Sequence, residues 1–524
     1  MYRVRYCVVA VLCLTLLFPA LCAAKNKVTP ATRLSRDVEA LLQDPEASRS
    51  FWGINAVSLD TGQTLVAINA DKLFTPASNA KLFTTAAVFG LIGADYRFKT
   101  TVETMGTLDK YGRLDSDLVL VGRGDPNLSG RTLPYSMHTE RKAPPIQVLQ
   151  QLADQLVQHG LKYVDGDIVA DDSYFVWERY GEGWSQDDLA REWGAPVSAL
   201  TVNDNVIFVN IMPGARPGER AFLSITPFPE YYKIDNRVTT TPAGSEPRTV
   251  SINREPGSNL ITFWGNIPQD DPGFGEALSI DDPADFAARL LHELLEERGV
   301  TIYGRTRTRH TELASTQTFS VTSMASGGGD TTRPPNPTAL ILASYQSQPI
   351  TEDLRVINKV SQNLHAELML RLLGKEKGTS GSVEGGLEVL RSFLVNAGIK
   401  ADEFAFYDGS GLSREDLVSP EAVVELLRYS AKQPWAKAFQ DTLPVAGVDG
   451  SLADRFRNTA AVGVVRAKTG SLTHVYSLAG YATTASGDHI AFSVITNNND
   501  EATKKVLDRI DNIVLRLIDD KSQR

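Results

Sequence analysis

The sequence predicts an α/β (α+β) domain that draws on both ends of the chain and is split by a β-rich insertion of one or two subdomains. Three observations predict it. Thr75-Pro76-Ala77 opens an apolar helix running to about Gly90, after two strand-like runs between Phe51 and Ala70. From about Thr100 to Thr338 the pattern changes to short alternating strands and frequent turns. Helices then dominate again, with strands around Lys468 and a closing helix near the C-terminus. An unstructured loop of roughly 240 residues inside a compact domain is implausible, so the middle stretch is read as folded.

In chain order, Ser35 to Leu42 reads as a helix, and Phe51 to Ala70 as two strands around the turn Asp60-Thr61-Gly62. Thr75 can cap the next helix, and Pro76 suits its first position. Leu118 to Val121, Gly166 to Ala170, Val206 to Ile211 and Thr249 to Asn253 read as strands. One clear helix interrupts them, Ala284 to Arg298, with Phe286, Leu290, Leu291, Leu294 and Leu295 on one side and Pro283 at its start. Ser326-Gly327-Gly328-Gly329 and Pro334-Pro335-Asn336-Pro337 make a flexible, then stiff, connector. Helices follow over Ile350 to Leu373, Val383 to Ala397 and Pro420 to Gln433. Val462 to Val465 and Tyr476 to Thr496 read as strands, and Glu501 to Ile518 as the closing helix. The expected division is 25–100 and 341–524 for the two parts of the domain, with 101–340 inserted.

Length and composition agree with this reading. At ~150 residues per domain, 524 residues suggest about three domains, and 42% hydrophobic with 22% charged residues is ordinary for a soluble globular chain. Residues 1–24 differ. Arg3 and Arg5 precede an apolar run from Cys7 to Phe18, then Ala20, Ala23 and Ala24, the order of a secretory signal peptide. The run is too short for ~30 Å of hydrocarbon, which argues against a membrane anchor. Leu21 is bulkier than a lipid-attachment site at Cys22 would want. All three cysteines lie in this segment, so the mature chain is expected to have no disulfide and no cysteine metal site. Losing Arg3 and Arg5 moves the net charge from −10 to −12, which argues against nucleic acid and anionic membrane surfaces as partners.

Three short patterns carry chemistry. Ser78-Asn79-Ala80-Lys81 puts a lysine three residues after a serine, on the same face of a helix. A serine in the first helical turn meets unpaired N–H groups and the positive end of the dipole. Burial of Lys81 among Leu82, Phe83 and Ala86 would lower its pKa and leave an amine able to take the serine proton. Alone, the spacing equally fits a helix turn with a solvated lysine. Ser361-Gln362-Asn363 opens an amphipathic stretch, where a loop or helix could present both outer side chains. Lys468-Thr469-Gly470-Ser471 lies between two strand-like runs, where the glycine permits close backbone approach. An edge-strand lysine is also a common guard against aggregation. Ser251-Ile252-Asn253 competes for the second pattern, but it reads as a strand of the insertion with no helix after it.

Ser-x-x-Lys, Ser-x-Asn and Lys-Thr-Gly in that order are the signature of serine β-lactamases and penicillin-binding proteins. The chain resembles the D-alanyl-D-alanine carboxypeptidase/endopeptidase family of class C low-molecular-mass penicillin-binding proteins, peptidase family S13. Gly124-Asp125-Pro126-Asn127-Leu128, Asp165 to Asp172, Asp408 to Ser413 and Leu443 to Gly447 support the resemblance, as does an insertion between the first two motifs. It implies a penicillin-binding-protein/serine β-lactamase-like transpeptidase fold. It also implies an exported, periplasmic or cell-wall-associated DD-carboxypeptidase that can also act as an endopeptidase on D-alanyl cross-links. Its partners would be peptidoglycan stem peptides ending in D-Ala-D-Ala, with β-lactams as covalent inhibitors and no cofactor.

By the same resemblance Ser78 is the acylated nucleophile and Lys81 its base. Ser361 relays a proton to the leaving amine, and Asn363 binds a substrate carbonyl. Lys468 supports the electrostatics, Thr469, Gly470 and Ser471 hold the terminal carboxylate, and the backbone N–H groups of Ser78 and Ser471 form the oxyanion hole. Trp184, Asp187, Asp188 and Trp193 are lower-ranked candidates for side-chain recognition, equally readable as a solvated loop. The seven histidines show no metal spacing, and His365 reads as a helix-face residue. There is no Gly-x-Ser-x-Gly elbow. Two rival readings are a β-lactamase on the same fold and a non-catalytic wall-binding protein.

Overall fold

The computed structural model describes residues 33–132, 143–313 apart from 228, 230 and 256, and 339–519. The expected leader 1–24, the Gly/Pro connector 326–337 and His138 lie outside the described residues. Five antiparallel strands form the main sheet, in the order Thr64–Ile68, Phe51–Ser58, His489–Asn497, Val475–Thr483, Arg466–Leu472. Its first two strands by sequence are separated from the other three by more than 390 residues, because the chain returns to the sheet at its end. The two central strands from the C-terminal part are buried along nearly their whole length, because helices cover both faces.

On one face lie Arg33–Leu41 and the closing helix Thr503–Ile518, whose Val506, Ile510, Ile513, Val514 and Leu517 pack with Ile54, Phe492 and Val494. On the other lie Ala80–Leu91 and Pro420–Ser430. Ala80–Leu91 is buried from Ala80 to Phe89, as expected of a helix apolar all round. Ser419 caps Pro420–Ser430, accepting from Ala422 N at 2.9 Å with proline at the first position.

The strands Lys99–Thr104 and Leu340–Gln346 pair antiparallel, from Thr104↔Leu340 to Lys99↔Gln346. The chain therefore leaves for the inserted stretch and returns from it side by side. Between them, Leu118–Val121, Ile168–Val176 and Thr306–Thr311 complete a second five-stranded sheet. The inserted stretch has a core of its own, where Pro283–Glu297 contributes Phe286, Leu291 and Leu295, and Gln147–Gln158 contributes Leu149 and Leu152. Among the described residues no helix is long and apolar enough to cross a membrane.

Several elements differ from the sequence reading. Gln147–Gln158 is a helix that was not expected; its glutamines dilute an apolar stripe of Val148, Leu149, Leu152 and Leu156. The single helix expected over Ile350 to Leu373 is two, Ile350–Lys359 and Asn363–Lys377, because Ser361 takes a left-handed φ of +68°. Val462 to Val465 is a turn, with Gly463 at φ +74°, and the third motif itself forms the strand Arg466–Leu472. His365 lies on the helix Asn363–Lys377, as expected, and is fully buried.

Candidate active site

Ser78 does not sit in the first turn of an α-helix. Ala77–Asn79 is a 3-10 turn, and the α-helix starts at Ala80, because Ala77 adopts φ +50°. Thr75 is held by backbone instead of capping: its N–H donates to Asn497 Oδ1 at 2.9 Å and its carbonyl accepts from Asn497 Nδ2 at 3.1 Å. Left-handed alanine is strained, by about 1–2 kcal/mol, so the turn must be held from outside. Gly411 approaches so closely that a Cβ there would lie 1.9 Å from Ala77 O. Gly470 lies on the other side, where a Cβ would be 2.8 Å from Pro76 O and 3.0 Å from Ser78 N. The third-motif glycine therefore makes room for the nucleophile turn.

Lys81 lies one turn on, fully buried. Its Nζ donates to Ser78 Oγ at 2.8 Å, Asn363 Oδ1 at 2.6 Å and the Ser410 carbonyl at 2.5 Å. Burial pulls its pKa down to about 7, against the opposing carboxylates of Asp408, Glu367 and Asp416. Asn363 Oδ1 and Ser410 O can only accept. In the neutral amine they take both N–H groups, and the lone pair is left facing Ser78 Oγ. This geometry lets a neutral Lys81 accept a proton from Ser78 Oγ.

Ser361 and Lys468 form a second pair. Lys468 Nζ donates to Ser361 Oγ at 2.8 Å and to Thr469 O at 2.7 Å. Lys468 is fully buried, so it is no surface guard. Burial first, and the Lys81 cation second, push its pKa well below the ordinary lysine value. Asn363, at the first position of Asn363–Lys377, touches Lys81 through its oxygen, while its amide nitrogen donates to Trp193 O at 2.8 Å. In this arrangement the nitrogen assigned to a substrate carbonyl is occupied by the inserted stretch.

Arg466–Leu472 is an edge strand. Ala467 N donates to Pro444 O, away from the sheet, so alternation also turns the N–H groups of Thr469 and Ser471 to that free edge. Thr469 Oγ1 lies 2.7 Å from Ser451 Oγ, and Ser471 is exposed. Lys359 donates to Leu443 O at 3.0 Å and pairs with Asp449, joining the loop at 443–451 to the second motif.

Sequence reasoning missed the groups that carry Lys81's surroundings. Asp408 accepts from the N–H groups of Ser410, Gly411 and Ser413 and from Trp184 Nε1 at 2.9 Å. It thereby fixes the loop that offers Ser410 O to Lys81. Glu367 accepts from Gly409 N at 2.9 Å and pairs with Arg371 at 3.0 Å. Burial raises the pKa of both Glu367 and Asp416, with Asp408 adding to each. A glutamate inside a helix buried all round was the available signal. Among the lower-ranked candidates, Trp184 braces Asp408, and Trp193 donates from Nε1 to Asp188 Oδ1 at 2.7 Å. Ser251–Asn253 is a strand of a separate three-stranded sheet and takes no part in this cluster. Among the described residues no cluster of histidine and acidic side chains could hold a metal ion.

Comparison with known proteins agrees with this geometry. The profile of the D-Ala-D-Ala carboxypeptidase 3 (S13) family matches residues 34–325 and 330–517. A D-alanyl-D-alanine carboxypeptidase of Actinomadura sp. is 34% identical over 479 residues, covering 89% of this chain and 81% of that protein. D-alanyl-D-alanine carboxypeptidase DacB of Haemophilus influenzae is 26% identical over 458 residues, 86% of each. The crystal structure of penicillin binding protein 4 from Haemophilus influenzae superposes with a TM-score of 0.74 at 24% identity, over 92% of this chain and 97% of that one, which establishes the shared fold. The chain belongs to the D-Ala-D-Ala carboxypeptidase 3 (S13) family.

Proposed function

We propose that this chain is an exported serine DD-carboxypeptidase acting on peptidoglycan stem peptides that end in D-Ala-D-Ala. Relatives named D-alanyl-D-alanine carboxypeptidase support the substrate class. The observation that carries the mechanism is the pair of acceptors on Lys81 Nζ, Asn363 Oδ1 and Ser410 O, which leaves the lone pair of the neutral amine facing Ser78 Oγ. Neutral Lys81 takes the Ser78 proton as Oγ attacks the carbonyl of the penultimate D-Ala. The oxyanion meets the N–H groups of Ser78 and Ser471, each worth roughly 10²–10³ in rate. The proton passes through Lys468 and Ser361 to the departing amine of the terminal D-Ala. Water then enters, and the acyl-enzyme on Ser78 is hydrolysed by the reverse proton path.

A D-alanyl cross-link presents the same carbonyl with a different leaving amine, so endopeptidase action uses the same acyl-enzyme. A β-lactam carbonyl enters the same way, but its leaving amine stays tethered. The N-terminal segment 1–24 supplies export to the periplasm or cell wall. Labelled penicillin should mark the parent protein and leave Ser78→Ala unmarked, and mass spectrometry should find free D-Ala released from a pentapeptide by the parent alone. Equal labelling of both proteins would remove Ser78 from this role.

A further inference from the structure

We infer that Asp204, in the inserted stretch, is a positioning residue for Ser361 and Asn363, and that it acts through Gln362. The inference rests on the reading of Ser361 and Asn363 as parts of the acylation machinery. These two residues flank Gln362, at a point where the chain has no regular structure to hold it. Ser361 is left-handed at φ +68°, and Gln362 is extended and precedes the first turn of Asn363–Lys377. The Gln362 side chain has two ends. Its Oε1 accepts from Leu364 N at 3.1 Å and caps that helix, while its Nε2 donates to Asp204 Oδ2 at 3.2 Å.

Asp204 is built to stay in place. It is the middle of three consecutive left-handed residues, Asn203 (φ +51°), Asp204 (φ +55°) and Asn205 (φ +55°). Such a run is strained, and local hydrogen bonds offset it: Asn203 Nδ2 donates to Val206 O and Asn205 Nδ2 to Pro196 O, both at 2.8 Å. The Asp204 carboxylate also pairs with Arg131 and lies 3.3 Å from His365 Nε2. All three side chains are buried to within about a hundredth of full exposure. His365 stands on the helix that Asn363 opens, and Arg131 Nη1 lies 3.1 Å from its Nε2. A second strut from the same stretch, Trp193 O, holds the Asn363 amide at 2.8 Å. The second motif is thus fixed from the inserted stretch on one side, and by Lys81 and Lys468 on the other. A shift of ~1 Å in such groups costs on the order of 10²-fold in rate.

Asp204→Asn alone would leave Arg131 buried without its carboxylate and threatens the fold. Gln362→Met is the cleaner variant, since it leaves that pair intact while removing the link to Asp204 together with the cap on Leu364 N. Stopped-flow acylation by a fluorescent penicillin separates the binding constant from the limiting acylation rate constant. For Gln362→Met we expect the rate constant to fall between about tenfold and a hundredfold. The binding constant and the final one-to-one labelling of Ser78 should stay near the parent values, and the thermal midpoint should fall only by the loss of one helix cap. In the double variant with Asp204→Asn, the Gln362 change should cost little more than Asp204→Asn alone. An unchanged rate constant in Gln362→Met overturns the inference. So does a loss that appears only as a smaller labelled fraction, or costs that simply multiply in the double variant. Labelling that survives Ser78→Ala would instead sink the reading of the nucleophile.

Discussion

The site contains two serine–lysine pairs with the same separation, 2.8 Å for Lys81–Ser78 and 2.8 Å for Lys468–Ser361, and different surroundings. Both lysines are fully buried, and burial lowers both pKa values. Lys81 faces three carboxylates, Asp408, Glu367 and Asp416, which keep its pKa at about 7. Lys468 has Lys81 as its charged neighbour, which adds to burial in lowering its pKa instead of opposing it. At a pKa of about 7 the first pair is poised between ammonium and amine near neutral pH, whereas around the second pair burial and the neighbouring charge both disfavour the ammonium. Identical distances do not make identical surroundings; the charges around Lys81 oppose burial, and the charge beside Lys468 reinforces it.

The sharpest way to break this comparison is to remove each lysine in turn. Lys81→Met deletes the proposed general base and should lower penicillin acylation by about 10³–10⁴-fold. Lys468→Met should cost less, on the order of 10². The pH profile separates them further. An ammonium has no lone pair, so parent acylation should rise with pH through about 7 and then level off. Lys468→Met should show a lower plateau with that limb unmoved. A limb that disappears in Lys468→Met but persists in Lys81→Met would exchange the two roles.

A smaller effect tests the carboxylates. Asp408 favours the charged form of Lys81, so Asp408→Asn should let burial lower that pKa further and move the acid limb to lower pH. The variant also places an amide against donors from Ser410, Gly411, Ser413 and Trp184, at a cost of about 1–3 kcal/mol in stability. The plateau rate should fall by about tenfold, because Ser410 O would be less well held against Lys81. A limb that moves upward, or stays fixed, would show that Asp408 acts on the loop alone.

What the sequence made legible was local. Ser78 and Lys81 are three residues apart, so their contact follows from helical geometry. Pro283 and Pro420 mark helix starts that the structure contains. The fold class followed from the change of pattern near Thr100 and its reversal near Ile350. The rest was hidden because it depends on contacts across the chain. Lys81 meets Asn363 over 282 residues, and Lys468 meets Ser361 over 107. Resemblance to a family brought those residues together on paper, but nothing in their neighbourhoods did. The left-handed turns at Ala77 and Ser361 were invisible as well, since neither residue type signals positive φ. Nor could spacing show that Asn363's amide nitrogen is engaged by Trp193, or that Asp204 stands behind Gln362.

The smallest predicted effect concerns stability, and it follows from the same depressed pKa. An unfolded chain holds the Lys81 proton up to its ordinary 10.5, whereas the folded chain releases it at about 7. Between those values the unfolded state binds more protons, so stability should rise with pH across that window. Below about 7 both states hold the proton, and the folded state bears the full cost of a buried cation. Lys81→Met lacks this dependence. Its stability relative to the parent should therefore be most favourable near pH 6 and decline steadily towards pH 10. Denaturant midpoints of both proteins at several pH values measure the difference. Lys468 is present in both, and loss of the Lys81 charge only eases the lowering of its pKa in the variant; a difference that does not vary with pH would mean that Lys81 is not the group whose burial sets the acid limb.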